Sequence, residues 1–169
     1  MEYVDVVAGV VWQDGRFVAT QRVRGRHAGF WEFPGGKVDA GESKLSALAR
    51  ELYEELGITL EEVHHWRAVQ HIDGNRCIRL RVYHVIRFSG EPQALEQQVL
   101  RWVTVSEACE LPFLEADIRL VRELAGIAEP AMPEMDNGLD WAALIPVRNQ
   151  PHAVESFTQP AYCWKQKVS

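Results

Sequence analysis

Three glutamates, Glu51, Glu54 and Glu55, stand at i, i+3 and i+4 in the segment "RELYEELG". On an α-helix this spacing sets their carboxylates on one face. Like charges so placed repel by roughly a few tenths of a kcal/mol per pair. Near a helix C-terminus the macrodipole disfavours them as well. A solvated acidic face is the plain reading of such a cluster. The chemical reading is a site for hard divalent cations, which take carboxylate oxygens. Two neighbours favour the second. Arg50 directly precedes the acids, and a turn with paired glycines, "PGGKVDAGES" (34–43), lies just upstream.

The rest of the chain must position that cluster. Its 169 residues, 47% hydrophobic and 25% charged, suit one domain with a real core. A net charge of -6 provides no basic field for long nucleic acid, and an acidic protein that handles a polyanion needs metal ions between the two. Cys77, Cys109 and Cys163 are scattered, odd in number and without CxxC spacing, which predicts buried thiols rather than a disulfide framework or a zinc site. No apolar run reaches the length of a membrane span, and the N-terminus lacks a signal-peptide pattern, so the expected compartment is the cytoplasm.

"VDVVAGVVW" (4–12) and "RFVATQR" (16–22), joined through "QDGR", predict a β-hairpin. "WEFPGGKV" predicts a short strand that breaks at Pro34. From Ser43 the period changes. Leu45, Leu48, Ala49, Leu52 and Leu56 form one apolar helical stripe, and Gly57 is placed to stop it. "HHWRAVQHI" and "RCIRLRVYHVIRF" predict two strands around "DGN", and "VLRWVTV" a further short one. "ADIRLVRELAGIA" (116–128) predicts a second helix. Beyond it "EPAMPEMDNG" is expected to be a linker, "LDWAALIPV" a short helix or turn, and the remainder a polar tail with isolated aromatics.

Gly36, five residues, Glu42, seven residues, then Arg50-Glu51-Leu52-any-Glu54-Glu55-any-Gly57-Ile58 fill every fixed position of the Nudix box. The chain therefore resembles the Nudix hydrolase family. "GVVW", "VATQR" and "GFWEFPGGK" are similar to its MutT-type subgroup. The resemblance implies an α/β sandwich with a mixed sheet, the box forming a loop-helix-loop, over residues 1–128, with 129–169 an extension of unknown role. It implies Mg²⁺- or Mn²⁺-dependent hydrolysis of a nucleoside diphosphate linked to another group. In the family the carbonyl of the first glycine of the pair, here Gly35, is a metal ligand. Glu51 and Glu55 resemble the main ligands, with Glu54 beside them, and Arg50 with Glu42 an ion pair that orients the helix. Glu96, in "ALEQQVLRW", matches a glutamate that reaches the metal cluster; the alternative is a surface-loop acid. Lys37 is either a phosphate contact or a solvated side chain. The acid that takes the water proton is Glu54, Glu96 or another.

Three further positions match those that hold the base in MutT-type proteins. Arg22 lines up with an arginine at the purine edge, and Phe33 with a pocket aromatic, the alternative being core packing. Asp117 replaces an asparagine and resembles CTP-hydrolysing relatives, the alternative being an N-cap for the second helix. An ionised carboxylate only accepts hydrogen bonds, so Asp117 is expected to favour bases with N–H donors at that edge. The implied reaction converts a nucleoside triphosphate and water to the monophosphate and pyrophosphate, cleansing the nucleotide pool of 8-oxo-dGTP or a similar compound. The alternatives are a CTP or modified-dCTP pyrophosphohydrolase, a hydrolase of NADH or ADP-ribose, and, from another class, a non-catalytic nucleotide-sensing module. The expected assembly is a monomer or homodimer.

Overall fold

The computed structural model describes residues 1–131, with side chains through Gly126. Strands β1 (Glu2–Gln13) and β2 (Arg16–Gln21) form the expected hairpin, with Trp12 opposite Phe17. Asp14 and Gly15 both take positive φ, 49° and 71°, which matches the twist of the flanking strands. β1 then leaves β2 and runs parallel to β6 (Arg76–Ser89), which pairs antiparallel with β5 (Thr59–Asp73). Three short strands complete one seven-stranded mixed sheet: β3 (Trp31–Glu32) and β7 (Val99–Val103) on β2, and β4 (Gly35–Lys37) on β1. "WEFPGGKV" breaks at Pro34 as expected, and its two halves bind different partners.

β1 shows why the sheet has two cores. Val7 and Val11 face helix α1 (Lys44–Leu56), packing with Leu48, Leu52 and Leu56. Ala8, Val10 and Trp12 face the other way, onto α2 (Val105–Cys109) and α3 (Glu115–Ala131) through Ala108, Leu120, Val121 and Leu124. Each fully buried aliphatic side chain contributes about 1.5–3 kcal/mol. Ser43 caps α1, its hydroxyl accepting from the Ser46 N–H, and Gly57 ends it with φ 72°.

Four expectations need correction. β5 starts at Thr59, five residues before His64. β7 stops at Val103, because Thr104 and Glu107 form a reciprocal capping box that opens α2. α3 continues to Ala131, past the point where the apolar period fades. Cys77 is buried, but Cys109, the last residue of the short surface helix α2, is exposed. Cys163 and the expected linker, short helix and tail from Met132 onward lie outside the described residues. Among the described residues no helix is long and apolar enough to cross a membrane.

Where β5 crosses β6 the core holds neutral imidazoles. His84 Nδ1 accepts from Trp12 Nε1 at 2.8 Å, and burial pushes its pKa down to about 3. Burial, with Arg81 nearby, brings His65 to about 4. These folded values lie below the unfolded one, near 6.5. The unfolded chain therefore binds more protons between about pH 6.5 and 4, and stability falls as pH drops through that window. Urea midpoints of wild type and His65→Phe, followed from pH 8 to 4, should show a shallower fall in the variant, whose phenyl ring keeps the edge contact with Tyr83.

Candidate active site

The turn ahead of α1 is built by close packing. A Cβ on Gly35, whose φ is 155°, would strike the Val7 carbonyl of β1. A Cβ on Gly36 would strike the Glu51 carboxylate. Glycine at both places lets β4 lie against β1 while the acids of α1 reach the turn. The Gly35 N–H donates to Glu55 Oε2 at 3.1 Å.

Arg50 organises the rest. Its Nε and Nη2 grip both oxygens of Glu42, at 3.0 and 2.9 Å. Nη2 also donates to the Lys37 carbonyl at 3.0 Å, and Nη1 to Glu51 at 2.9 Å. Glu54, half exposed, lies 3.5 Å from Nη1 and is the most loosely held of the three acids. The pair with Arg50 pulls Glu42 below the usual carboxylate range and raises the guanidinium further. Arg50 and Glu42 thus form the expected ion pair. Lys37 contributes its carbonyl to that anchor and leaves its side chain exposed.

Glu96 is brought beside Glu55 through the end of α1. The last turn of α1 holds no basic residue, and its carbonyls are met instead by the loop between β6 and β7. Leu95 N–H and Gln98 Nε2 both donate to the Glu55 carbonyl, and Gln93 N–H to that of Leu56. Gln98 Oε1 accepts from the Glu96 N–H, and Gln97 takes φ 62° to close the turn. Glu96 therefore shares with Glu55 the wall of one cavity of about 320 Å³, also lined by Thr20, Arg22, Arg24 and Glu32. Burial, reinforced by the charges of Glu96, Glu32 and Glu51, raises Glu55 to about 8 against the Gly35 N–H.

The residues expected to hold the base lie near one another, but not as the sequence suggests. Phe33 is 3% exposed, its ring packed between Phe17 and Phe113 at 5.6 and 5.7 Å, so the ring is core. Its backbone N–H donates to the buried Asp117 Oδ2 at 3.2 Å. Asp117 is not an N-cap; it lies within the first turn of α3, with its own N–H bonded to the Leu114 carbonyl. Burial raises it to about 7, the Phe33 N–H opposing. A carboxyl raised that far also donates a hydrogen bond when protonated, so the accept-only expectation applies to its ionised form. Arg22 is clamped by Glu32, Nε to Oε1 and Nη2 to Oε2, both at 2.8 Å. No sequence pattern marks Gln98, and Glu32 is marked only as the polar residue between Trp31 and Phe33.

Residues 2–124 match the NUDIX domain. The chain is 40% identical over 134 residues to the CTP pyrophosphohydrolase of Escherichia coli K12, covering 78% of this chain and 99% of that one. It is 36% identical over 123 residues to the 8-oxo-dGTP diphosphatase of Haemophilus influenzae, covering 72% and 90%. Among solved structures, that of the E. coli ORF135 protein aligns with a TM-score of 0.69 and 39% identity, over 79% of this chain and 95% of that one. A MutT Nudix hydrolase from Burkholderia pseudomallei aligns at 0.65 and 33%, over 73% and 98%. With the filled box on α1, these likenesses place the chain in the Nudix family.

Proposed function

We propose that this protein is a divalent-cation-dependent nucleoside triphosphate pyrophosphohydrolase, releasing the monophosphate and pyrophosphate. The observation that carries the reading is the cavity wall shared by Glu55 and Glu96, into which Glu32 and Glu51 also direct charge. Of the nearby cations, Arg22 and Arg50 are already committed to Glu32 and Glu42, and Arg24 is exposed at the cavity rim. Negative charge that collects at such a cost to Glu55 suits hard cations better than it suits the fold.

Gly35, Glu51, Glu54, Glu55 and Glu96 are the residues that would hold Mg²⁺ or Mn²⁺. The fit is chemical: carboxylate and carbonyl oxygens alone, on a turn with no Cβ in the way. Among the described residues no three acid, imidazole or thiol groups already converge on one point, so binding must draw these oxygens together. A bound cation would polarise phosphoryl oxygens and lower the pKa of the attacking water. Arg50 would keep Glu51 oriented through that rearrangement, and Glu54 or Glu96, both exposed, would accept the water proton when not itself bound to a cation.

The base lies toward Asp117 and the Phe33 backbone. The names of the relatives divide between CTP and 8-oxo-dGTP. We take 8-oxo-dGTP or a similar damaged nucleotide as the leading substrate, and CTP or a modified dCTP as the alternative. A panel of triphosphates with Mg²⁺, scored for pyrophosphate against phosphate, tests the reading; release of phosphate alone, or of nothing, would overturn it. Protons and cations compete for Glu55. At subsaturating Mg²⁺ the rate should therefore rise with pH through about 8, and higher Mg²⁺ should move that rise to lower pH.

A further inference from the structure

We propose that Glu32, together with the Arg22 it holds, reads the sugar hydroxyls of the nucleotide. The inference rests on the proposed hydrolase reading and assigns the part of the substrate lying between base and phosphates.

The argument starts from placement. Glu32 sits on β3 opposite Thr20, in the wall of the cavity that holds Glu55 and Glu96. It is also the neighbour of Phe33, whose N–H meets Asp117. Its charge is felt at Glu55 on one side and at Asp117 on the other, as is that of Arg22. A nucleotide whose base meets Asp117 and whose phosphates meet the Glu55 cluster must lay its sugar across this pair.

Chemistry then selects the contact. A carboxylate repels phosphate, so Glu32 is unsuited to the polyphosphate. Hydroxyls are the donors that the sugar offers, and each carboxylate oxygen retains acceptor capacity after its single bond to Arg22. The same pairing of an acidic side chain with a ribose hydroxyl serves dinucleotide-binding folds. The clamp uses Nε and Nη2 of Arg22, so Nη1 carries further donors for sugar or α-phosphate oxygens. The two-pronged geometry fixes the carboxylate plane before any ligand arrives. Glu32 is 22% exposed, open enough to be reached and covered enough for the contact to discriminate.

The test is kcat/KM with Mg²⁺ for a ribo-, 2′-deoxy- and 2′,3′-dideoxy-triphosphate of one base, on wild type, Glu32→Gln and Arg22→Ala. In wild type the loss of at least one hydroxyl should lower kcat/KM by about tenfold or more, since a site built around a hydroxyl rejects the analogue lacking it. In Glu32→Gln that step should shrink to within about threefold. Arg22→Ala keeps the carboxylate, so it should lower all three rates while retaining most of the step. If wild type turns over the dideoxy compound as fast as the ribo compound, the inference is overturned without recourse to any variant. If Glu32→Gln lowers all three by one factor, Glu32 merely positions Arg22, and the sugar reading fails while the hydrolase reading stands. A wild type that turns over no triphosphate of any base would remove the hydrolase reading, and this inference with it.

Discussion

Glu55→Gln should abolish most turnover while making the protein more stable. The amide keeps the shape of the side chain and can still accept from the Gly35 N–H, so the turn and α1 should stay in place. What goes is a carboxylate for the cations. Charge stabilisation by bound metal is worth several kcal/mol, so kcat should fall by roughly a thousandfold at saturating Mg²⁺. The stability gain follows from the raised pKa of about 8, set first by burial and then by the neighbouring acids. An acid whose folded pKa exceeds its unfolded one, near 4.3, disfavours the fold once pH passes the unfolded value, and does so fully above the folded value. The variant should therefore melt a few degrees above wild type at pH 9, with the gap closing toward pH 4. Adding Mg²⁺ should raise the wild-type melting temperature and leave that of the variant nearly unmoved. Near-wild-type activity in Glu55→Gln would remove Glu55 from the cation site. A variant less stable than wild type at pH 9 would mean that the Gly35 contact requires the charge.

The box was legible because its chemistry is local. Glu51, Glu54 and Glu55 share one helical face by spacing alone, and Ser43 and Gly57 mark the ends of that helix by residue type. The hairpin through Asp14 and Gly15 and the two-sided pattern of β1 are local in the same sense. What lay out of reach depends on partners distant in sequence. "WEFPGGKV" divides between β2 and β1 only once both strands exist. Glu96 was matched by resemblance, but the bonds of its loop to the carbonyls of Glu55 and Leu56, which bring it to Glu55, leave no pattern of their own. Phe33 matches a pocket aromatic by resemblance, with core packing as the alternative; the sheet turns its ring inward between Phe17 and Phe113, and its N–H donates to Asp117. The capping box of Thr104 and Glu107 was in the sequence and was overrun by the apolar strand before it.

Base preference should change with pH in wild type and become fixed in Asp117→Asn. Asp117 is 6% exposed, and its burial raises the carboxyl to about 7. Below that value the group carries a proton and offers a donor beside an acceptor, as an asparagine does; above it both oxygens only accept. The Phe33 N–H holds Oδ2 in either state, so base reading requires Oδ1 to meet the ligand. An acceptor there suits the N–H edges of guanine and cytosine, whereas a donor suits a carbonyl edge such as those of uracil and thymine. A lost hydrogen bond at a desolvated edge costs roughly 1–3 kcal/mol, or about ten- to a hundredfold. The ratio of kcat/KM for CTP over UTP in wild type should accordingly rise by about tenfold between pH 6 and 8.5. In Asp117→Asn the amide cannot titrate, so the ratio should stay flat across that range, near the wild-type value at pH 6. The dependence on Mg²⁺ should be the same in both proteins, because Asp117 belongs to α3 and not to the carboxylates of α1. A wild-type ratio that does not move with pH would show that the Asp117 proton plays no part in reading the base. A uniform loss for both nucleotides in Asp117→Asn, with a lowered unfolding midpoint, would make the bond to the Phe33 N–H a brace between α3 and β3 and nothing more.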